Sequence, residues 1–206
     1  MKMLKLEILE EKTRILFDKL ATHWYDFPLV WGTWLSLQIW HRTSVDLDFV
    51  VPRFVNHKDI QIFRKLSQNL EIVYQSKEQI NMFVDGVKVT IFSYWWKESF
   101  PLKKYKKLKI RDLRDIAISK SFSIWRREEI KDYIDLYFVL NEKFLSMDEL
   151  IEFSKNKYNW DFSEKLFLKQ LLLLEEIEQY EINYLRDEVS IKTIDDFFID
   201  LVKKRV

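Results

Sequence analysis

The segment Val45-Asp46-Leu47-Asp48-Phe49 places two carboxylates inside an otherwise apolar run. Side chains alternate along a β-strand, so Asp46 and Asp48 are predicted to share one face, while Val45, Leu47 and Phe49 pack on the other. Two carboxylates about 7 Å apart along a strand repel each other unless a cation lies between them. We therefore expect a divalent ion with a preference for oxygen, Mg²⁺ or Mn²⁺, at this pair. A solvated strand face that carries two acids by chance is the alternative.

A glycine lies upstream of this strand. Gly32 follows an apolar run and precedes Thr33, which is predicted to lie near the cap of a short helix. Glycine at a strand-to-helix junction lets the backbone approach a ligand, and the free amides of a helix start favour phosphate. A simple tight turn explains the glycine equally well. The intervening polar residues, among them Arg42 and Ser44, favour a single site that binds phosphates at Gly32 and a metal at the two acids.

Strand and helix signals interleave before residue 100, and helical signals dominate after it. The first half contains strand signals at Val45 to Val51 and Glu71 to Tyr74, and a hairpin around Asp85-Gly86. We predict an α/β domain over residues 1–100, with a mixed sheet flanked by helices, and a helical domain over 101–206. The predicted helices of the second half are Leu113 to Trp125, Glu129 to Leu140, Met147 to Ser154, Phe162 to Tyr180 and Ile191 to Val202.

Composition excludes several classes of protein. With 48% hydrophobic residues and no cysteine among 206 residues, the chain is neither globally disordered nor held by disulfides or zinc thiolates. The net charge of +1 predicts that any nucleic-acid contact is a local patch. We find no signal peptide and no membrane-spanning segment, and expect a soluble, cytoplasmic protein without a membrane partner.

Two motifs together resemble the AbiEii-type nucleotidyltransferases, the toxins of type IV toxin–antitoxin systems in the DNA polymerase β-like superfamily. The first runs from Gly32-Thr33 through His41-Arg42-Thr43-Ser44 to the acidic pair. The second comprises Lys120, then Arg126-Arg127, and then Lys131-Asp132-Tyr133-Ile134-Asp135. Both occur in the expected order, within roughly residues 28 to 140 of the chain.

The resemblance implies transfer of a nucleotidyl group from an NTP to an acceptor hydroxyl with the help of Mg²⁺ or Mn²⁺. The acceptor would be an RNA 3′ end, as in tRNA, or a protein side chain, and a cognate antitoxin would be a partner. Asp46 and Asp48 would bind metal and act in catalysis. The nucleotide would be bound by Gly32, Thr33, Arg42, Ser44 and Lys120.

The helix with Asp132 and Asp135 admits two interpretations. Its apolar surroundings predict burial, and buried carboxylates need partners. From the residues alone, a structural ion pair with Arg126, Arg127 or Lys131 is the simpler account. With the resemblance, Lys120 becomes a cation for the triphosphate and Asp132 a catalytic base or an orienting group. Asp135 would then orient Lys120 or an arginine. Arg127 would act like Asp135 from behind the residues that touch the substrate, by holding them in position.

The sequence departs from the family pattern at two positions. Trp31 stands where a first glycine is common, and Thr90 stands where related enzymes often carry a third acid. The alternative function is therefore a catalytically reduced protein of the same fold that binds nucleotide or a partner protein.

Two further features bear on an RNA acceptor. The run from Lys103 to Arg111 is rich in lysine, and Trp95-Trp96 precedes it. Phosphate contacts and base stacking would use these residues, whereas a solvated face and core packing are the simpler accounts.

Overall fold

The computed structural model describes residues 4–23 and 28–205 and divides the chain into two compact units, Met1–Asp112 and Leu113–Val206. Apolar residues recur at helical spacing from Leu4 to Trp24 and predict one N-terminal helix, but Trp24 lies outside the described residues. In its place, a short 3-10 helix, Leu6–Ile8, precedes helix α1, Glu11–Thr22. The boundary falls twelve residues after the predicted one, between residues 112 and 113 rather than 100 and 101.

The first unit is built on a seven-stranded mixed sheet with the order β3-β4-β5-β2-β1-β7-β6. β2 pairs in parallel with β5, β1 in parallel with β7, and the other neighbours are antiparallel. Its strands are β1 Leu29–Val30, β2 Leu47–Val51, β3 Leu70–Gln75, β4 Gln79–Val84, β5 Val87–Ser93, β6 Lys103–Tyr105 and β7 Leu108–Ile110. Its remaining helices are α2 Trp31–Ile39 and α3 His57–Leu66.

Local chemistry explains the edges of these elements. The β4–β5 hairpin turns at Asp85 and Gly86, which both have positive φ, 50° and 81°, as the predicted Asp-Gly turn requires. The Asp85 carboxylate accepts hydrogen bonds from the main-chain N–H groups of Gln68 and Asn69, each 2.9 Å long. At the start of α3, Asn56 and Asp59 form a reciprocal capping box. The hairpin turn is thus stabilised both by its own residues and by hydrogen bonds to the segment before β3.

The second unit consists of helices: α4 Leu113–Ile124, α5 Ile130–Asn141, α6 Met147–Tyr158, α7 Glu164–Leu171 and α8 Ile191–Lys203. α5 is buried on nearly all sides, as its composition predicts. Tyr133, Phe167 and Phe198 lie at the centre of this unit and have no exposed surface. The predicted class, an α/β sheet domain followed by a helical region, is confirmed. Among the residues that the structure describes, none of the helices combines the length and hydropathy needed to cross a membrane.

Three expectations about the elements are wrong. The basic stretch after residue 100 contains the strands β6 and β7, because Leu108 and Ile110 are buried where β7 pairs with β1. The helix predicted to reach Tyr180 ends at Leu171, followed by a 3-10 turn, Leu174–Glu176. Finally, Val45 lies before β2 and is exposed, so it does not join the apolar face.

Candidate metal and phosphate site

The acidic pair lies at the beginning of β2. Asp46 immediately precedes the strand, Asp48 is its second residue, and both are partly exposed. On either side, Asp48 pairs with Val30 of β1 and with Thr90 of β5. Both carboxylates are therefore partly accessible near the middle of the sheet, at the beginning of the strand that lies between β5 and β1.

Thr90 lies on β5 directly beside Asp48. This is the residue that stands where related enzymes often carry a third acid. It is 4% exposed, and its own neighbour on β4 is Asn81, which also bears no charge. Within residues 4–23 and 28–205, no three histidine, aspartate or glutamate side chains form a group suited to a metal. The donor set is thus two carboxylates. Such a set fits Mg²⁺, which commonly takes one or two protein carboxylates and completes its shell with water and substrate phosphates.

A lysine that the sequence interpretation did not include faces this pair. The ammonium nitrogen of Lys88, on β5, lies 3.2 Å from Oδ2 of Asp46. Lys88 precedes Thr90 by two residues, so both side chains lie on the same face of β5. The alternation along β5 could have indicated this face, but the pairing of β5 with β2 could not be read from the sequence.

Gly32 lies in the first turn of α2, and its missing side chain makes room for an arginine. A Cβ atom at Gly32 would lie 2.9 Å from Nη2 of Arg42 and 3.2 Å from Oγ of Ser44. Arg42 itself is buried, and its Nη1 donates to the main-chain carbonyl of Thr43 over 2.9 Å. The missing side chain at Gly32 therefore lets a guanidinium group lie against the start of a helix, the end of a helix that favours an anion.

Thr33 links this helix start to the acidic segment. Its hydroxyl lies 2.8 Å from the hydroxyl of Ser44 and also donates to the main-chain carbonyl of Asp46. Thr33 lies within the helix and is buried, whereas Val30 occupies the cap position that was expected near Thr33. The four predicted phosphate-binding residues of this unit, Gly32, Thr33, Arg42 and Ser44, are thus assembled beside Asp46.

Trp31 adopts a backbone conformation that favours glycine. Its φ is 68°, in the left-handed region, and its ring packs against Phe92 with centroids 4.8 Å apart. A non-glycine residue in this region is disfavoured by about 1 kcal/mol. The backbone at Trp31 therefore adopts, at some conformational cost, a conformation that glycine would adopt more readily.

The second unit holds a buried cluster of charges. Nζ of Lys120 lies 2.5 Å from Oδ1 of Asp132 and 2.7 Å from Oδ2 of Asp135. The three side chains are 6%, 1% and 0% exposed. Arg127, which is more exposed, donates from Nε to Oδ2 of Asp132 over 2.9 Å and from Nη2 to Oδ1 over 3.2 Å. We call Lys120, Arg127, Asp132 and Asp135 the Lys120 cluster.

Two other candidate ion-pair partners lie elsewhere. Arg126 stacks on Phe122 and Trp125 and donates to the carbonyl of Asp161 over 3.0 Å. Burial lowers the pKa of Arg126, against the opposing effects of Asp161 and Tyr158. Lys131 lies 5.0 Å from the ring of Tyr180. The sequence interpretation named three basic residues as possible partners, and Arg127 is the one paired with Asp132.

The lysine-rich run forms the β6–β7 hairpin, and part of its charge is paired. Lys103 lies 3.1 Å from Asp112, and Lys106 lies 3.2 Å from Asp18. The hydrogen bond from Lys106 to Asp18 is the main reason why the pKa of Lys106 is raised. Arg111 is fully buried against Glu98. Of the lysines proposed to hold RNA, Lys104 and Lys107 are the exposed ones without a paired acid in the described part of the chain.

The two candidate stacking tryptophans follow the far end of β5. β5 ends at Ser93, which pairs with the last residue of β2, whereas Asp48 and Thr90 pair near its start. Trp95 is exposed and meets the ring of Phe54 edge-on, with centroids 5.2 Å apart. Trp96 packs against Tyr94 instead. Trp95 is therefore the better stacking surface, but it lies beyond the opposite strand end from Asp46.

Solved structures share this fold. MenT4, a nucleotidyltransferase toxin of Mycobacterium tuberculosis, matches with a TM-score of 0.62 at 14% identity, over 94% of this chain and 82% of that one. JHP933 of Helicobacter pylori matches with a TM-score of 0.57 at 14% identity, over 95% and 92% of the two chains. At this identity the likeness concerns the fold alone, which is that of the nucleotidyltransferases.

Sequence comparison adds a relative. No model of a known protein family matches the chain. The uncharacterized protein aq_aa25 of Aquifex aeolicus is 31% identical over 164 residues, which cover 75% of this chain and 76% of that protein. A similarity of this extent shows common descent, and the chain therefore belongs to the same protein family as aq_aa25, within the nucleotidyltransferase fold.

Proposed function

We propose that this protein is a metal-dependent nucleotidyltransferase of AbiEii type that moves a nucleotidyl group from an NTP to an acceptor hydroxyl. The observation that carries the proposal is the assembly of Gly32, Arg42 and Ser44 beside the accessible acids Asp46 and Asp48. An anion-binding helix start next to a pair of oxygen ligands is what a nucleoside triphosphate and its cation require.

Each candidate site residue of the first unit has a specific role in this proposal. Asp46 and Asp48 hold Mg²⁺ or Mn²⁺, which when bound stabilises charge on the phosphate oxygens and polarises the reacting group. The Arg42 guanidinium and the Ser44 hydroxyl bind and orient phosphate oxygens at the start of α2. Thr33 positions both Ser44 and Asp46 through its hydrogen bonds. Fixed donors of this kind accelerate phosphoryl transfer by orientation and by charge stabilisation.

The Lys120 cluster belongs to the second unit and has a role of its own in the proposal. We propose that Lys120 neutralises triphosphate charge and that Asp135 and Asp132 hold its ammonium group in place. Both oxygens of Asp132 already accept hydrogen bonds from cationic groups. This pairing favours the orienting role of Asp132 over the role of a free catalytic base. The resemblance of its Lys-Asp-x-x-Asp segment to the AbiEii pattern supports the assignment.

For the acceptor we propose an RNA 3′ end, as in tRNA, with a protein side chain as the other possible acceptor class. The exposed lysines Lys104 and Lys107 offer phosphate contacts, and Trp95 offers a ring on which an unpaired base stacks. MenT4, one of the solved structures with a similar fold, is a nucleotidyltransferase toxin. We propose a toxin-like activity here too, with a cognate antitoxin as partner.

A second candidate function is binding of a nucleotide without transfer. Thr90 beside Asp48 favours it, because a hydroxyl cannot replace a carboxylate as a metal ligand or base of comparable strength. Trp31 favours it as well, because a bulky residue with a positive φ, packed against Phe92, stands where the family pattern often has a glycine.

The test is incubation of the purified protein with NTPs labelled at the α-phosphate, Mg²⁺ or Mn²⁺, and total cellular RNA. Wild type should label RNA, and Asp46→Asn and Asp48→Asn should each abolish labelling. Asp18→Asn, which alters another exposed acid with a lysine partner, is the matched control and should retain activity. Label on protein alone would refute the RNA acceptor but keep the transferase. Nucleotide-dependent stabilisation without any transfer of label would establish the second candidate function.

A further inference from the structure

The side chain of Lys88 forms an ion pair with the carboxylate of Asp46, to which the proposed metal would bind. Its ammonium nitrogen lies 3.2 Å from Oδ2 of Asp46, and the two side chains are 51% and 37% exposed. The parallel register of β2 and β5 pairs Leu47 with Val89 and Asp48 with Thr90. Asp46 immediately precedes Leu47, and Lys88 immediately precedes Val89, so the two residues lie next to this first pair. The lysine therefore reaches Asp46 from the face that Asp48 and Thr90 share.

This placement changes the charge of the site. Asp46 and Asp48 alone would present two negative charges, and a third acid at position 90 would add another. With Thr90 neutral, no third acid is added, and Lys88 offsets one of the two negative charges of the acidic pair. Affinity for a divalent cation depends strongly on the number of negative ligands, so the free protein should bind such an ion weakly.

We propose that Lys88 is the internal counter-ion of Asp46 and that a divalent cation must displace it in order to bind. The proposal rests on the metal site put forward above. The ammonium group and the metal compete for the same carboxylate oxygen, and after displacement they also repel each other. Both partners are well exposed, so the ion pair is weak enough to exchange. A cation that arrives with a nucleoside triphosphate brings its own negative ligands, so metal binding should depend on nucleotide.

The first consequence concerns the metal alone. Replacing Lys88 with methionine keeps a long apolar side chain and removes the charge. An exposed ion pair alters an equilibrium constant by up to about fivefold, and relief of like-charge repulsion adds to this. We expect Lys88→Met to bind Mn²⁺ about three- to tenfold more tightly than wild type in the absence of nucleotide.

The matched control is Lys106→Met. Lys106 pairs with Asp18 at the same distance, 3.2 Å, with exposures of 47% and 46%, and neither residue belongs to the metal site. The control variant Lys106→Met should leave Mn²⁺ affinity unchanged. Asp46→Asn should abolish Mn²⁺ binding in both the wild-type and the Lys88→Met background. Lys88→Gln provides a second neutral variant if the methionine variant folds poorly.

The measurement is Mn²⁺ binding to the full chain, followed by the paramagnetic resonance signal of the free ion, first without and then with NTP. Tighter binding by both neutral Lys88 variants, with no change for Lys106→Met, supports the proposal. Unchanged or weaker binding by the Lys88 variants, with binding still dependent on Asp46, overturns the role of Lys88 and leaves the metal site intact. Absence of any binding that depends on Asp46, in every variant and with NTP, overturns the metal site and this inference together.

Discussion

Lys120→Met is the most informative change to the second unit, because Lys120 and the two acids that it contacts are nearly free of solvent. Lys120 contacts both Asp132 and Asp135, at 2.5 and 2.7 Å. After the change Asp132 retains Arg127, whereas Asp135, which is fully buried, loses the cation that it contacts. Methionine approximates the length and volume of the lysine stem, so the lost charge accounts for most of the effect.

The expected cost follows from the burial of the remaining carboxylates. Removal of one partner from a buried ion pair typically destabilises a protein by about 3–5 kcal/mol. Total free energies of unfolding are about 5–15 kcal/mol, so the variant should be markedly less stable. With a urea dependence of roughly 2–3 kcal/mol per M, the unfolding midpoint should fall by about 1–2 M.

A second variant separates charge from packing. Lys120→Met combined with Asp135→Asn also removes the carboxylate that has lost the ammonium group of Lys120, and should recover about half of the lost free energy, because an amide is far less costly to bury than a charge. Urea unfolding of wild type and both variants, followed by circular dichroism, provides the comparison. A loss below about 1 kcal/mol for the single variant, or no recovery in the double variant, would refute this account of the cluster.

Three further predictions concern single residues. Burial, with Glu175 and Asp196 nearby, raises the pKa of Asp195, so the folded state binds this proton more tightly than the unfolded state. Asp195→Asn should therefore increase the free energy of unfolding at pH 7, and the gain should vanish on acidification below about pH 4; a loss of stability at pH 7 would contradict it. The N–H of Asn69, with that of Gln68, lowers the pKa of Asp85 despite the opposing effect of burial. Asp85→Asn should consequently destabilise the protein above about pH 4, and the difference should disappear as the pH falls through the folded-state pKa; a difference that persists in acid would exclude this origin. Gly32→Ala would place a Cβ atom 2.9 Å from Nη2 of Arg42, so the guanidinium must move away from the start of α2. It should reduce the rise in melting temperature that NTP and Mg²⁺ cause, with Ser36→Ala in the same helix as control, and an undiminished rise would remove Arg42 from the phosphate site.

Short-range patterns predicted much of this protein. The alternating pattern around Asp48 predicted the strand β2, and the Asp85-Gly86 pair predicted the hairpin that the structure contains. The three-residue spacing of Asp132 and Asp135 predicted a shared side of a buried helix. Each of these inferences depends on residues within one turn or one strand, where backbone geometry alone fixes the relation between side chains.

Other features depended on contacts between distant segments. The strands β6 and β7 are too short and too rich in lysine to be recognised, and they form because β7 pairs with β1 and buries Leu108 and Ile110. The helix predicted to reach Tyr180 ends at Leu171. Just before that end, the hydroxyl of Tyr133 donates to the carbonyl of Gln170. Neither outcome follows from the local sequence, because both are stabilised by partners far along the chain.

The charges around the acidic pair show the same division. The sequence alone determined that Asp46 and Asp48 lie close along the chain, since the two residues belong to a single segment. Only the tertiary structure decided that Lys88 pairs with Asp46, because the parallel register of β2 and β5 is set across the intervening α3, β3 and β4. Likewise, Arg42 reaches Gly32 because the chain folds back between α2 and β2. The electrostatics of a site are summed over space, and distance along the chain does not determine which charges meet there.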